Sequence, residues 1–282
     1  MNYRHAFHAG GFADVVKHVV LSLIVGHLRE KPAAFRVIDT HAGAGLYDLT
    51  GPEAGRTGEW RDGIGRLLAA PLAPPVQELL APYLAAIWHF NPSGDLATYP
   101  GSPTLALALM RPQDRLVACE LEPAAGNNLA RHLKRDRRAK AVVIDGWTAL
   151  SAYVPPKERR GLVLVDPPFE RPGEFARLTD GVVAAYRKWA SGTFVLWYPI
   201  KDRREADAFL RRMARSGIRK ILKAELVVAA LDRARLTASG LLIINPPWPL
   251  ERQLAVLLPA LASILARDTS VSATCGWLTG EK

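Results

Sequence analysis

The sequence predicts an α/β fold: a mostly parallel sheet covered by helices on both faces, with one small helical insertion. Three observations carry this expectation. Six short, nearly continuous apolar runs recur at 35–39, 115–120, 141–145, 161–166, 193–198 and 240–245. Runs this short and this apolar fit strands buried on both faces. Segments of helical spacing separate most of them, and strands alternating with helices give parallel sheets. Four of the runs end in an acid: Asp39, Glu120, Asp145 and Asp166. Ligands of open α/β sheets bind at the carboxyl ends of the strands, so four acids there mark the rim of one site.

The first element is a helix. Phe12, Val15, Val16, Val19, Val20, Leu23 and Ile24 form one apolar stripe, with Asp14 and Lys17 off it. His18 stands one turn after Asp14, as a helix-surface ion pair would. His5, His8 and His27 have no ligand-like spacing around them and read as packing or solvent-facing groups. After the strand at 35–39 the alternation breaks. Residues 46–100 hold Pro-rich and helical pieces, among them PPVQELLAPYLAAIWHF, and no convincing strand. A small helical insertion within one domain spanning 1–282 is expected. Helices are then read at SPTLALALM, PAAGNNLARHLKR and RREADAFLRRMARSG, between the remaining strands.

Composition narrows the class. Apolar residues make up 49% of the chain, enough for a sizeable core. The two cysteines, Cys119 and Cys275, lie far apart in apolar surroundings and read as buried thiols of a cytoplasmic protein. No motif spacing suggests a metal. The longest apolar stretch, between Arg252 and Arg267, is interrupted by Pro259 and too short for a membrane span. A formal net charge of +10 favours an anionic partner, most often nucleic acid.

The loop VIDTHAGAG, 37–45, follows its strand directly. Gly43 and Gly45 remove side chains where a ligand must touch backbone. Glu120, ending the next strand, is suited to accept ribose hydroxyls. It lies well beyond the usual spacing of about 20 residues, and the insertion accounts for the excess. The loop lacks the third glycine of the dinucleotide fingerprint and is no phosphate-binding Walker loop. S-adenosylmethionine needs no phosphate cradle and suits a short Gly-x-Gly turn. Asp145-Gly146 is then placed to meet its adenine ring, and His41, inside the loop, is a further candidate contact. Lys17 can reach the donor's carboxylate or lie in solvent.

LVLVDPPFE, 162–170, has a near-copy in LLIINPPWP, 241–249. The exocyclic amine of a base is a poor nucleophile because its lone pair is delocalised into the ring. A carboxylate and a backbone carbonyl held side by side can accept hydrogen bonds from both its N–H groups. Proline fixes φ and has no N–H, so Asp166-Pro167-Pro168 gives a stiff turn with free carbonyls. Phe169 can stack on the base, and Asp166 can accept the released proton. The order of elements favours this copy, which ends the fourth strand after three other acid-tipped strands. INPPW comes two strands later and is expected to be a rigid strand exit packed with Trp248.

YRHAFHAGGFADVVKH, DTHAGAG, YPGSP, RRGLVLVDPPFE, LWYPI and TASGLLIINPPW together closely resemble the bacterial 23S ribosomal RNA adenine-N6 methyltransferase family, the RlmJ type. The resemblance runs from residue 3 to about 250. It implies a Rossmann-like S-adenosylmethionine-dependent methyltransferase fold, with one adenine of 23S rRNA as substrate. It also implies that His18, His41, Ser102, Glu120, Asp145, Gly146 and Asp166 contact donor or substrate, and that Tyr3 lies close to the substrate adenine. Phe169 stands where tyrosine is common, which keeps the stacking face and loses a hydroxyl.

The basic stretches 131–140 and 201–220 supply an RNA side. The first has six Lys or Arg against one acid, the second eight against three. The partner expected is 23S rRNA, with no membrane and no metal, bound by a monomer. Duplex RNA hides its bases, so a flipped or single-stranded adenine is expected. A DNA adenine-N6 methyltransferase shares every catalytic element, but no DNA-reading domain is evident. The intact loop and turn argue against a catalytically inactive nucleic-acid-binding protein. The Asp at the first position argues against a protein-glutamine methyltransferase.

Overall fold

The computed structural model describes residues 4–280. The strands are β1 (Arg36–Asp39), β2 (Leu46–Asp48), β3 (Thr98–Pro100), β4 (Arg115–Glu120), β5 (Ala139–Val143), β6 (Gly161–Val165), β7 (Thr193–Pro199), β8 (Ile221–Val227), β9 (Ala238–Ile244) and β10 (Ser272–Thr279). Eight of them form one sheet in the order β10-β8-β9-β7-β6-β1-β4-β5. The run from β5 through β4, β1 and β6 to β7 is parallel. β9, β8 and β10 then pair antiparallel.

The main helices are α1 (Phe12–Arg29), α2 (Pro52–Thr57), α3 (Arg66–Ala69), α4 (Pro74–His89), α5 (Ser102–Leu109), α6 (Pro123–Leu133), α7 (Gly146–Tyr153), α8 (Glu174–Lys188), α9 (Arg203–Ala214) and α10 (Leu250–Leu265). One core cluster joins α1, α4, α5 and α10 to one face of the sheet. A second joins α8 and α9 to the other. Adjacent residues of β1 divide between them, Val37 to the first and Ile38 to the second, as side-chain alternation requires. The sheet is therefore covered on both sides, which explains the uninterrupted apolar runs.

Four sequence expectations need correction. β8, ILKAELV, went unread because Lys223 and Glu225 break its apolar run, and β10 because polar residues alternate along an outer strand. The insertion is not purely helical. It begins and ends in β2 and β3, an antiparallel pair of three-residue strands, too short to show a pattern. The third parallel strand ends at Val143, so Asp145 is not its last residue but the N-cap of α7, accepting from Thr148 N at 3.1 Å. Cys119 is buried, whereas Cys275, on outer strand β10, is only half-buried.

The insertion explains α1. It packs on the helix through α4 and the turn at 61–65. Gly63 lies so close to Gly10 that a Cβ would meet the Gly10 carbonyl oxygen at 2.0 Å. α1 is thus enclosed all round, and Asp14, Lys17, His18 and Ser22 are as buried as the apolar stripe. Of the two places left open for Lys17, solvent is ruled out, and Asp14, off the apolar stripe, is buried as well: a burying partner from another part of the chain leaves no periodicity in the helix itself.

Candidate active site

The acid-tipped strands converge on a cavity of about 330 Å³, within the size of ordinary small-molecule sites. Lys17, His18, His41, Gly43, Ser102, Glu120, Asp145, Gly146 and Asp166 all line it. A larger cleft of about 1230 Å³ adjoins it and is lined by Pro167, Phe169 and Trp197. Lys17, Asp166 and Pro168 border both spaces. Tyr3 lies outside the described residues; its neighbour Arg4 is on the rim of the smaller cavity.

The glycine loop leaves β1 and folds over the end of β4. Gly43 has φ +60°, in the left-handed region that favours glycine. Its N–H donates to Glu120 Oε2 at 2.8 Å, while Glu122 N donates to Oε1 at 2.8 Å. Each carboxylate oxygen keeps a lone pair for another donor. Ser102 Oγ, at the start of α5, donates to Asp39 Oδ2 at 2.6 Å. Burial raises the Asp39 carboxyl to about 7, with Ser102 opposing and Asp166 adding to the rise. Burial lowers His41 to about 4, against the pull of Asp166 and Asp145. Its ring meets the edge of Trp147, over which Arg177 lies at 5.1 Å.

Below the cavity a chain of charges leads to the catalytic candidate. Asp14 takes the Gly10 N–H at 3.0 Å, His5 Nε2 at 2.9 Å and Lys17 Nζ at 2.8 Å. Lys17 Nζ also pairs with Asp166 Oδ2. Burial opposes the Lys17 charge, but the two flanking carboxylates outweigh it and hold the ammonium well above its usual range. Burial likewise opposes Asp14, yet His5 and Lys17 hold its carboxyl well below the usual carboxylate range. The ammonium read from sequence as a donor contact or a solvated group is thus enclosed between two acids. His5, read as a packing or solvent-facing group, touches this network and lines both spaces. The signal for Asp14 was its i, i+3 spacing from Lys17, which only the burial of α1 turns into a site.

His18 does not pair with Asp14, as the sequence spacing suggested. Its Nδ1 lies 2.8 Å from Tyr99 Oη, and Tyr99 Oη lies 3.1 Å from Tyr83 Oη. Its Nε2 is buried and has no hydrogen-bond partner among the described residues, and the residue lines the cavity. Burial, with Lys17 adding and Asp14 opposing, lowers the imidazole to about 3, so it is neutral.

Phe169 adopts φ +52°, a conformation that costs an L-residue energy and is held by its surroundings. Its ring packs on Phe175 at 4.8 Å and Trp197 at 5.8 Å, on the wall of the cleft. Asn245 sits at the opposite end of the sheet, because β9 runs antiparallel to β7. Its amide donates to the carbonyls of Ala190 and Gly192, both at 2.8 Å. Trp248 is not packed as expected; 77% of it is exposed. The basic stretches divide. Lys201 and Arg212 line the cleft, but Lys220 is beside Asn245, and Arg138 lies at the start of β4 and β5. Among the described residues no His, Cys, Asp and Glu group is arranged to hold a metal, and no helix is long and apolar enough to cross a membrane.

A family model described as ribosomal RNA large subunit methyltransferase D, RlmJ, matches residues 32–279. Two relatives are called ribosomal RNA large subunit methyltransferase J. The one from Escherichia coli (strain K12) is 43% identical over 282 residues, covering all of both chains. The one from Haemophilus influenzae is 40% identical, again over all of both chains. The crystal structure of protein LPL1258 from Legionella pneumophila superposes with a TM-score of 0.88 at 33% identity, over 98% of this chain and 99% of that one. A probable spermidine synthase from Corynebacterium glutamicum, 15% identical, shares the fold at a TM-score of 0.50, over 94% of this chain and 74% of that one. With the family model matching most of its length and full-length relatives at 40% identity or more, this chain belongs to the RlmJ family of ribosomal RNA large subunit methyltransferases.

Proposed function

We propose that this protein methylates the N6 amine of one adenine in 23S rRNA, with S-adenosylmethionine as donor. The observation that carries the reading is the place of Asp166. It follows β6 directly, where the small cavity meets the cleft, and it borders both. A group there meets a donor on one side and a nucleotide on the other. Membership of the RlmJ family and the net charge of +10 support RNA as the polymer.

The cavity suits the donor. Glu120 has free lone pairs for the ribose hydroxyls, Asp145-Gly146 flank the place for the adenine ring, and the buried His18 Nε2 awaits a polar group. His41, Gly43 and Ser102 complete the contact set. S-adenosylmethionine, when bound, supplies an electrophilic methyl group. Asp166 Oδ2 is turned to Lys17, which leaves Oδ1 to accept from the substrate amine. The Pro167 carbonyl accepts from the second N–H, and Asp166 takes the proton released from nitrogen. Lys17, anchored by Asp14, fixes the orientation of that carboxylate. The Phe169 ring stacks on the extruded base.

The protein acts in the cytoplasm, as a monomer. The test is methylation of total RNA and of duplex DNA with labelled donor, followed by nucleoside analysis. N6-methyladenosine from 23S rRNA is expected, together with its loss from rRNA of a strain lacking the gene. Label in duplex DNA, with rRNA undiminished in that strain, would put a DNA methyltransferase in its place.

A further inference from the structure

We infer that Tyr99, a residue of the insertion, sets the tautomer of His18, so that Nε2–H faces the donor cavity as a hydrogen-bond donor. The inference rests on the reading of that cavity as the S-adenosylmethionine site. His18, Tyr99 and Tyr83 are all 1% exposed or less. A neutral imidazole carries one proton, and each phenol carries one. The three groups form a line: Tyr83 Oη to Tyr99 Oη at 3.1 Å, and Tyr99 Oη to His18 Nδ1 at 2.8 Å.

Only two arrangements of protons suit this line. In the first, Tyr83 donates to Tyr99, Tyr99 donates to His18 Nδ1, and the imidazole proton sits on Nε2. Every hydroxyl hydrogen then has an acceptor within the line. In the second, His18 Nδ1–H donates to Tyr99 and Tyr99 donates to Tyr83. The Tyr83 hydrogen is then left over, and among the described residues Tyr83 Oη has no partner but Tyr99. The first arrangement leaves over only the His18 Nε2–H, on a residue lining the cavity, where solvent or ligand can accept it. The second strands the Tyr83 hydroxyl, which is not at the cavity, so the first prevails. Burial keeps the line intact by holding both phenols protonated and the imidazole neutral.

His18 lines the cavity, and its buried Nε2 has no hydrogen-bond partner among the described residues. It therefore recognises an acceptor on the ligand, such as the carboxylate of the methionine portion. Tyr83 belongs to α4 and Tyr99 to β3, both within residues 46–100. The insertion thus reaches the donor site through the proton order of one histidine.

Two conservative variants test this. Tyr99→Phe removes the group that addresses Nδ1. Tyr83→Phe alters the same core but leaves Tyr99 free to donate to Nδ1. Nitrogen-15 histidine spectra of the full-length protein should show His18 protonated at Nε2 in wild type and in Tyr83→Phe, and mixed in Tyr99→Phe. Calorimetry with S-adenosylhomocysteine should show affinity about two- to fivefold weaker in Tyr99→Phe, as a competent tautomer fraction of roughly one half to one fifth implies, and wild-type affinity in Tyr83→Phe. A purely structural role would weaken both variants alike. A His18 proton on Nδ1 in wild type, or equal affinity in both variants and wild type, overturns the inference alone. A wild type that binds no S-adenosylhomocysteine overturns the donor reading beneath it.

Discussion

Asp166-Pro-Pro-Phe and Asn245-Pro-Pro-Trp are nearly one sequence written twice, and the fold uses them in unlike ways. The first follows a strand that runs parallel to β1 and β7, so it emerges where the cavity and cleft meet. The second follows β9, which runs antiparallel to β7, so it emerges at the other end of the sheet. Their backbones differ as well. In the first turn the aromatic residue, Phe169, takes the left-handed conformation; in the second it is Asn245, a residue type that tolerates it. Asp166 turns its carboxylate to Lys17 and borders both cavity and cleft, whereas Asn245 spends its amide on two carbonyls of the loop before β7. A short motif therefore acquires its chemistry from strand direction.

The largest expected effect divides the two turns directly. Asp166→Asn should lower the rate of methyl transfer by about 10²–10⁴-fold, the usual worth of a general base, while donor binding survives. Asn245→Ala should leave the rate within about twofold of wild type, and cost roughly 1–3 kcal/mol of stability as two carbonyls lose their donor. Single-turnover assays and denaturant titration of both variants check this. Loss of turnover in Asn245→Ala with a normal Asp166→Asn would reverse the assignment.

Glu120→Ala comes next. The ribose hydroxyls lose their acceptor and the Gly43 and Glu122 N–H groups lose theirs. Donor affinity should fall about tenfold or more, as roughly 1–3 kcal/mol per unpaired group implies. Calorimetry giving the wild-type affinity would remove Glu120 from the site.

The buried groups at the cavity end of the sheet should also make stability depend on pH. His18 near 3 and His41 near 4 lie below their unfolded value of 6.5. Their neutral forms stabilise the fold above 6.5, and this is lost as pH falls. Asp39, near 7, lies above its unfolded 3.8. Its stability contribution is complete below 3.8 and lost as pH rises towards 7. Between pH 4 and 6.5 the unfolded chain holds two protons on the histidines where the folded chain holds one on Asp39. Stability should thus rise with pH by about 1.4 kcal/mol per unit there. In Asp39→Asn the opposing proton is gone, and the slope should be about twice as steep. Urea titrations at several pH values read both slopes, and a variant slope no steeper than wild type would contradict the burial of a protonated Asp39.

The smallest effect belongs to the far turn. Trp248→Ser removes a ring that is already 77% exposed, so stability should change by no more than about 0.5 kcal/mol. Thermal unfolding measures it, and a larger loss would restore the packing role that the sequence suggested.

The sequence alone determined the parallel half of the sheet, because strands buried on both faces must be apolar throughout. It also determined the Gly43 loop, Glu120 and Asp166, because strand ends and glycine turns are local features. It did not show β8 or β10, whose polar residues are tolerated beside antiparallel neighbours near the edge. Nor did it show that Asp14 and Lys17 are enclosed, since Asp166, which pairs with Lys17, is far away in sequence and leaves no trace in the periodicity of α1. The direction of β9 was equally invisible: a run such as LLII reads the same in either direction, and only its pairing with β7 and β8 sends Asn245 away from the site. The tertiary structure decided these points because they depend on contacts between distant segments. It also decided the line from Tyr83 through Tyr99 to His18, which three buried groups form only when the insertion closes over α1.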